Sequence, residues 1–125
     1  MGAEGRPHIV PICFALEASH LYFAVDEKPK RSKRLKRLAN IQANPRVSVL
    51  VDEYDEDWSR LWWIRLDGVA RILEKGPQHE QALALLTEKY EQYRLQPPTG
   101  PVVAIAIERS RAWAADPESF GEGAP

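Results

Sequence analysis

The residues best placed to do chemistry are cations. Seven of the chain's seventeen lysines and arginines fall within ten positions, Lys28 to Arg37, in the stretch "EKPKRSKRLKRLAN" of residues 27–40. Leu35, Leu38, Ala39 and Ile41 recur three or four apart there, which predicts a short amphipathic helix over residues 32–43. Ser32 is its N-cap, and Asn44-Pro45 stops it. A helix start already carries about half a positive charge, so lysines and arginines in its approach and first turn repel the dipole and one another. A bound phosphate or carboxylate resolves that conflict, because it uses the free amides of the first turn and the cationic side chains together. On such a helix Lys33 and Arg37 share a face one turn apart, with Lys30 and Arg31 in the preceding loop able to close over the same point. Two other readings fit the composition: a solvated basic face balanced by the acidic "DEYDED" of residues 52–57, and a targeting or nucleic-acid patch.

Charge balance separates these. The formal net charge is −1, and without Lys28 to Arg37 ten basic residues face eighteen acidic ones, a net of −8. The positive charge is local, whereas a nucleic-acid-binding domain is usually basic over a whole face. No apolar run approaches the roughly 18 residues of a membrane span, and "MGAEGRPHIV" lacks a signal peptide's apolar stretch, so a cytoplasmic protein without nucleic-acid or membrane partners is expected.

Other chemistry is poorly supplied. Cys13 is the single cysteine, which excludes an internal disulfide, and its apolar neighbours in "VPICFAL" mark it as a buried strand residue. "DEYDEDW" lacks the ligand order of a calcium loop and reads as a solvated acidic turn. His8, His20 and His79 have no metal-ligand spacing, and no serine sits in a Gly-x-Ser-x-Gly elbow. This absence of acid–base and nucleophilic groups fits a binding protein, or an enzyme whose cofactor does the chemistry. Trp58, Trp62 and Trp63 put three indoles in six residues. Trp62 and Trp63 are expected on opposite strand faces, one in the core and one at an interface or ligand pocket.

The elements that must position these residues are mostly strands. At 125 residues, with 44% hydrophobic content, ten prolines and seven glycines, the chain is one turn-rich domain. "RPHIVPICFAL" and "HLYFAVD", separated by Glu17 to Ser19, read as a hairpin whose first strand is an edge because of Pro7 and Pro11. "RVSVLVDEY" (46–54) reads as a buried strand. "RLWWIRLDGVARILE" (60–74) reads as a long strand or a pair bent at Asp67-Gly68. A helix is expected over Gln78–Tyr93, a last strand over Val102–Trp113, and a frayed tail over residues 116–125. Strands without regular βαβ alternation favour an antiparallel barrel or sandwich with two helices.

"GRPHIVPICFAL", then "LYFAVDEKPKRSKRLKRLANIQANPRVSVLVDEYDEDWSRLWWIRLDGVARIL", then a helix and "PPTGPVVAIAI", resembles the pyridoxamine 5'-phosphate oxidase-like split-barrel family, in its coenzyme F420-dependent oxidoreductase branch. The likeness spans about residues 5–115. It implies a six-stranded antiparallel split β-barrel that forms a homodimer, with flavin or deazaflavin in a groove between subunits and a small-molecule substrate. It also implies that the family's N-terminal helix and first strand are missing or shortened here. Carried onto this sequence, the cofactor phosphate falls to Lys30, Arg31, Lys33, Lys36 and Arg37. Asn40 then faces the cofactor, the backbone of Val10 and Pro11 lies along the ring edge, and Trp58 forms the groove wall or reaches in from the partner subunit. Coenzyme F420 carries a phosphodiester and an oligoglutamate tail where FMN carries one terminal phosphate, so seven cations favour the longer anion. An FMN-binding oxidase or reductase, and a non-catalytic flavin- or deazaflavin-binding protein, are the alternatives.

Overall fold

The computed structural model describes residues 8–25 and 38–117. Its elements run β1 (Phe14–Glu17), β2 (His20–Ala24), a helical stretch α1 (38–43), β3 (Arg46–Glu53), a 3-10 turn (Trp58–Arg60), β4 (Trp62–Leu73), α2 (Pro77–Lys89), α3 (Glu91–Leu95) and β5 (Val102–Ala114). The strands form one antiparallel sheet in the order β1-β2-β5-β4-β3. Mainly-β architecture with a few helices is as expected, but the described residues give five strands rather than six, and the barrel is not closed.

The inner face buries Leu21, Phe23 and Val25 of the β2 arm, Val49 of β3, Ala70 of β4, and Val103 and Ile105 of β5. Phe14 from one edge of the sheet and Val47 and Val51 from the other pack on this same cluster. Four strand spacings separate those edges, about 19 Å in a flat sheet. The sheet therefore curls around its core. Leu38 and Ile41 of α1 pack on the cluster as well.

A second core lies on the outer face, where Ala82 and Leu86 of α2 are fully buried; Ala82 clusters there with Tyr22, Leu73, Val102 and Ala104. Gly76 caps α2 at φ 104°, a backbone region that side-chain-bearing residues avoid, and Pro77 follows at the first helical position. The single helix expected over Gln78–Tyr93 is broken at Tyr90, which is extended. Tyr90 is held instead by the β1 edge, where its hydroxyl donates to the Phe14 carbonyl at 3.0 Å and accepts from the Phe14 amide at 3.1 Å. Lys89 Nζ donates to the same carbonyl at 2.6 Å, and Arg94 Nη1 takes up the Thr87 and Glu88 carbonyls that the helix end leaves free.

Two further expectations need correction. Cys13 is exposed ahead of β1, because the first strand begins only at Phe14. The strand at 46–54 is an edge strand with a wet face rather than a buried one, and Leu50 is 63% exposed. The bend anticipated at Asp67-Gly68 is a register shift inside one unbroken strand, where Asp67 pairs with Arg109 and Gly68 with Ile107. A Cβ on Gly68 would sit 2.3 Å from the Ala106 carbonyl oxygen, so no side chain fits. Gly68→Ala is expected to lower the free energy of unfolding by roughly 1–3 kcal/mol, as overpacking at a close backbone approach does, read from the shift in urea midpoint at unchanged slope.

Candidate functional site

Strand alternation decides which side chains share the outer face. Val47, Val49 and Val51 point into the core, so Ser48, Leu50 and Asp52 point out. The register carries this across three strands in rows: Ser48, Asp67, Arg109; then Leu50, Arg65, Arg111; then Asp52, Trp63, Trp113. Helix α2 covers this face only at its other end, over Tyr22, Leu73, Val102 and Ala104. Among the described residues the rows are otherwise uncovered and border two adjoining depressions.

The larger, about 740 Å³, is lined by His8, Ile9, Arg46, Val47, Ser48, Arg65, Asp67, Gly68, Glu108 and Arg109. Asp67 is its hub. The Ser48 hydroxyl donates to Asp67 Oδ1 at 2.6 Å, Arg65 Nη2 donates to Oδ2 at 3.3 Å, and Arg109 Nε lies 3.5 Å from Oδ2. Arg65 Nε is 3.2 Å from Oδ1, within ion-pair range but not aligned as a hydrogen bond, so this buried donor is unspent. The Ser48 hydrogen bond holds the Asp67 carboxyl below the ordinary carboxylate range; desolvation opposes it, and the charge and hydrogen bond of Arg65 and the charge of Arg109 add smaller lowering effects. Arg46 completes the wall, its Nη1 donating to Glu108 Oε1 at 3.3 Å. Three guanidiniums against two carboxylates leave the groove net positive and rich in planar donors, a surface suited to anionic or ring-bearing ligands.

The smaller depression, about 390 Å³, is lined by Leu50, Asp52, Glu53, Tyr54, Leu61, Trp62, Trp63, Arg65 and Trp113. Trp63 and Trp113 are register partners across β4 and β5, and Trp113 is 45% exposed. Trp62 and Trp63, expected to divide between core and pocket, are both half-buried, both border this depression, and neither joins a core cluster. The acidic loop below it is a self-capped turn: the Asp55 carboxylate accepts from the Asp57 amide at 2.8 Å, and Asp57 accepts from the Ser59 amide and hydroxyl at 3.1 and 2.7 Å. Those Ser59 bonds lower the Asp57 pKa. Among the described residues no cluster of metal-ligating side chains occurs.

The residues anticipated from the sequence separate into three groups. Lys30, Arg31, Lys33, Lys36 and Arg37 lie outside the described residues. Asn40, in α1, is half-buried, and its Nδ2 is inaccessible to solvent and without a hydrogen-bond partner. A buried orphan donor of this kind suits an acceptor atom on a ligand, and it is the local feature that fits the cofactor the sequence implies. Val10 and Pro11 lie in the extended approach to β1, next to His8 and Ile9 at the larger groove. Trp58, on the 3-10 turn, is 69% exposed. The Ser48, Arg65, Asp67, Arg109 cluster escaped sequence reasoning. Its signal was the alternation of polar residues in "RVSVLVD" and "WWIRLDG", which marks a face that neither core claims.

Ser48→Ala is expected to raise the Asp67 pKa toward the ordinary value, read from the carboxyl carbon shift in a pH titration. Because the folded-state pKa is depressed, the stabilisation carried by Asp67 is complete above its unfolded value near 3.9 and disappears as pH falls through the folded value. The melting-temperature difference between wild type and Asp67→Asn is therefore expected to be larger at pH 7 than at pH 3.

The fold recurs in solved proteins. A conserved hypothetical protein from Mycobacterium tuberculosis superposes with a TM-score of 0.71 at 21% identity over 92% of this chain and 73% of its own. A FAD-binding protein from Mesorhizobium loti gives 0.64 at 24% identity, over 87% and 78%. The haem storage protein of Vibrio cholerae gives 0.67 at 18% identity, over 90% and 80%. At such identities these likenesses establish the fold alone. No curated protein matches the sequence. The model of the pyridoxamine 5'-phosphate oxidase family matches residues 1–114, nearly the whole chain. The chain belongs to the pyridoxamine 5'-phosphate oxidase family.

Proposed function

We propose that this protein is a homodimeric oxidoreductase that holds a deazaflavin, coenzyme F420, and serves hydride transfer between the reduced cofactor and a small organic acceptor. The observation that carries the reading is the run of seven cations placed directly before α1, in a family member whose α1 is anchored to the barrel core through Leu38 and Ile41. Anchoring matters because a phosphate site needs its cations held at one point, and α1 fixes the end of the segment that bears them.

The chain's own residues bind, orient and exclude water. Lys30, Arg31, Lys33, Lys36 and Arg37 hold the phosphate and acidic tail through charge-assisted hydrogen bonds. The buried Asn40 amide donates to a cofactor acceptor. The backbone around Val10 and Pro11 lines the ring edge, and Trp58 walls the groove. Bound in its reduced form, coenzyme F420 would supply the hydride from C5 of its ring, with the balancing proton drawn from solvent, so the protein needs no nucleophile of its own. The outer face, uncovered here among the described residues, with its exposed Leu50 and Trp113, supports the homodimer, since apolar area of this kind is usually an interface.

FMN in the same groove is the second reading, favoured by the FAD-binding neighbour from Mesorhizobium loti. A cofactor-binding protein without turnover is the third, favoured by the haem storage neighbour from Vibrio cholerae. Titration of the purified protein with each cofactor, followed by fluorescence quenching and visible absorbance, separates the first two, and oxidation of the bound reduced cofactor by an added acceptor separates an enzyme from a binding protein. Saturable quenching of F420 with weak or no FMN binding is expected, and a protein that binds neither sinks the reading. Lys33→Ala and Arg37→Ala are each expected to weaken binding by roughly 1–3 kcal/mol, about 5- to 150-fold in Kd, if they contact the anion directly. Unchanged affinity in both would return the run to a solvated basic face.

A further inference from the structure

The smaller depression sets aromatic faces beside carboxylates that no described residue neutralises. Asp52, Trp63 and Trp113 are register partners in one row across β3, β4 and β5, so the carboxylate and the two indoles stand side by side on the outer face. Neighbours in such a row lie about 4.5–5.5 Å apart at Cβ, close enough for one flat ligand over Trp63 to reach both Asp52 and Trp113. Tyr54 and Glu53 add a phenol ring and a second carboxylate to the wall. Asp52 and Glu53 form no ion pair among the described residues. Arg65 is the one cation of the lining, and Asp67 draws its guanidinium toward the neighbouring groove: Nη2 donates to Oδ2 at 3.3 Å and Nε stands 3.2 Å from Oδ1. Arg111, on the same face, does not line the depression, and Arg60 is turned to Asp55, with Nε 3.7 Å from Oδ2. Residues 52–60 carry five carboxylates against that one guanidinium, so the field over the indoles is negative.

We propose that this depression is a binding site for a flat organic cation, a small ring system that carries a quaternary nitrogen. The faces of Trp63 and Trp113 are negative at their centres and attract a cation laid over them, and the Asp52 carboxylate at the end of the row meets its charge. The rest of the wall is apolar, with Leu50 and Leu61 opposite few polar groups. A strongly hydrated ion would lose its water there without replacement, whereas a cation whose charge is spread over a ring has little hydration to lose. Metal ions are disfavoured for the same reason, and no cluster of metal-ligating side chains occurs among the described residues. An aromatic anion would meet Asp52 and Glu53 with like charge. A neutral ring would desolvate Asp52 and offer it nothing in return. The volume of about 390 Å³ suits a ligand of one or two fused rings. The site goes beyond the cofactor reading and does not rest on it, because the cofactor's phosphate and acidic tail were assigned to surface of the opposite charge.

The probe is 1-methylquinolinium, compared with neutral quinoline and anionic quinoline-2-carboxylate, each titrated by calorimetry into the full chain at neutral pH with no cofactor added. The cation is expected to bind saturably with a Kd of about 1 mM or tighter and to weaken as salt is raised. It is expected to bind at least about fivefold more tightly than quinoline, the effect of one unit charge at contact distance in water, and the anion not at all. Asp52→Asn should remove that margin and leave quinoline unaffected, while Trp113→Leu should weaken both. Glu88→Gln, an equal loss of charge on the exposed side of α2, should weaken neither. In proton–nitrogen spectra the cation should shift the indole signals of Trp63 and Trp113 more than that of Trp58. Equal binding of quinoline and the cation, or cation binding that ignores Asp52→Asn, overturns the site. Absence of saturable binding does the same, including where a second copy of the chain fills the depression. None of these outcomes touches the cofactor reading, since the titration contains no cofactor.

Discussion

The antiparallel pairing of β4 with β5 is the interaction on which the rest of the molecule depends. It runs from Trp62 against Ala114 to Leu73 against Val102 and supplies residues to both cores, Ala70, Val103 and Ile105 on the inner side and Leu73, Val102 and Ala104 under α2. The register shift at Asp67/Gly68 divides it into two functional halves. One half is sandwiched between core and helix, and the other keeps its outer side wet. Gly68 lies at that boundary because the Ala106 carbonyl comes too close for any side chain. Asp67 projects beyond the region that α2 covers, where arginines from two strands can reach it.

That half-wet ladder explains the character of the outer face. Arg65 and Arg109 stand on the outer face, away from the inner core that Leu66 joins, and their side chains line the groove. Asp67 offsets part of this charge and is itself held ionised by Ser48 and the two arginines. The arrangement keeps cationic donors oriented without neutralising them fully, because one carboxylate is shared between two guanidiniums. Next to it the Trp63/Trp113 pair presents aromatic area. Polar donors beside flat apolar rings suit a ligand or partner that carries both.

The helices act chiefly through their ends. Tyr90 leaves the helical path in order to clamp Phe14, and Arg94 then satisfies the carbonyls that the break exposes. On the opposite side, α1 brings Asn40 into the protein with a donor unmet, at the end of the most cationic stretch of the sequence. Edges, like helix ends, are places where backbone groups must find partners. The β1 edge finds them within the chain.

Much of this was legible in the sequence. Period-2 and period-3.6 patterns located the hairpin, the strands at 46–53, 62–73 and 102–114, the helix after Lys75 and the stop at Asn44-Pro45, because local hydrophobic spacing reflects one-sided burial directly. The cation run and the poverty of nucleophiles were equally visible, since composition needs no folding to be read. What the sequence could not decide were matters of partnership between distant residues. Cys13 looked apolar by its neighbours but is exposed, the helix breaks at Tyr90 because of Phe14, seventy-six positions away, and β3 became an edge through strand order. The Ser48, Asp67, Arg109 row exists only because β3, β4 and β5 lie side by side in one register. Sequence determined which faces are apolar and where the charge is stored; tertiary structure decided which charges meet, because hydrogen bonds and ion pairs act over a few ångströms in space irrespective of separation along the chain.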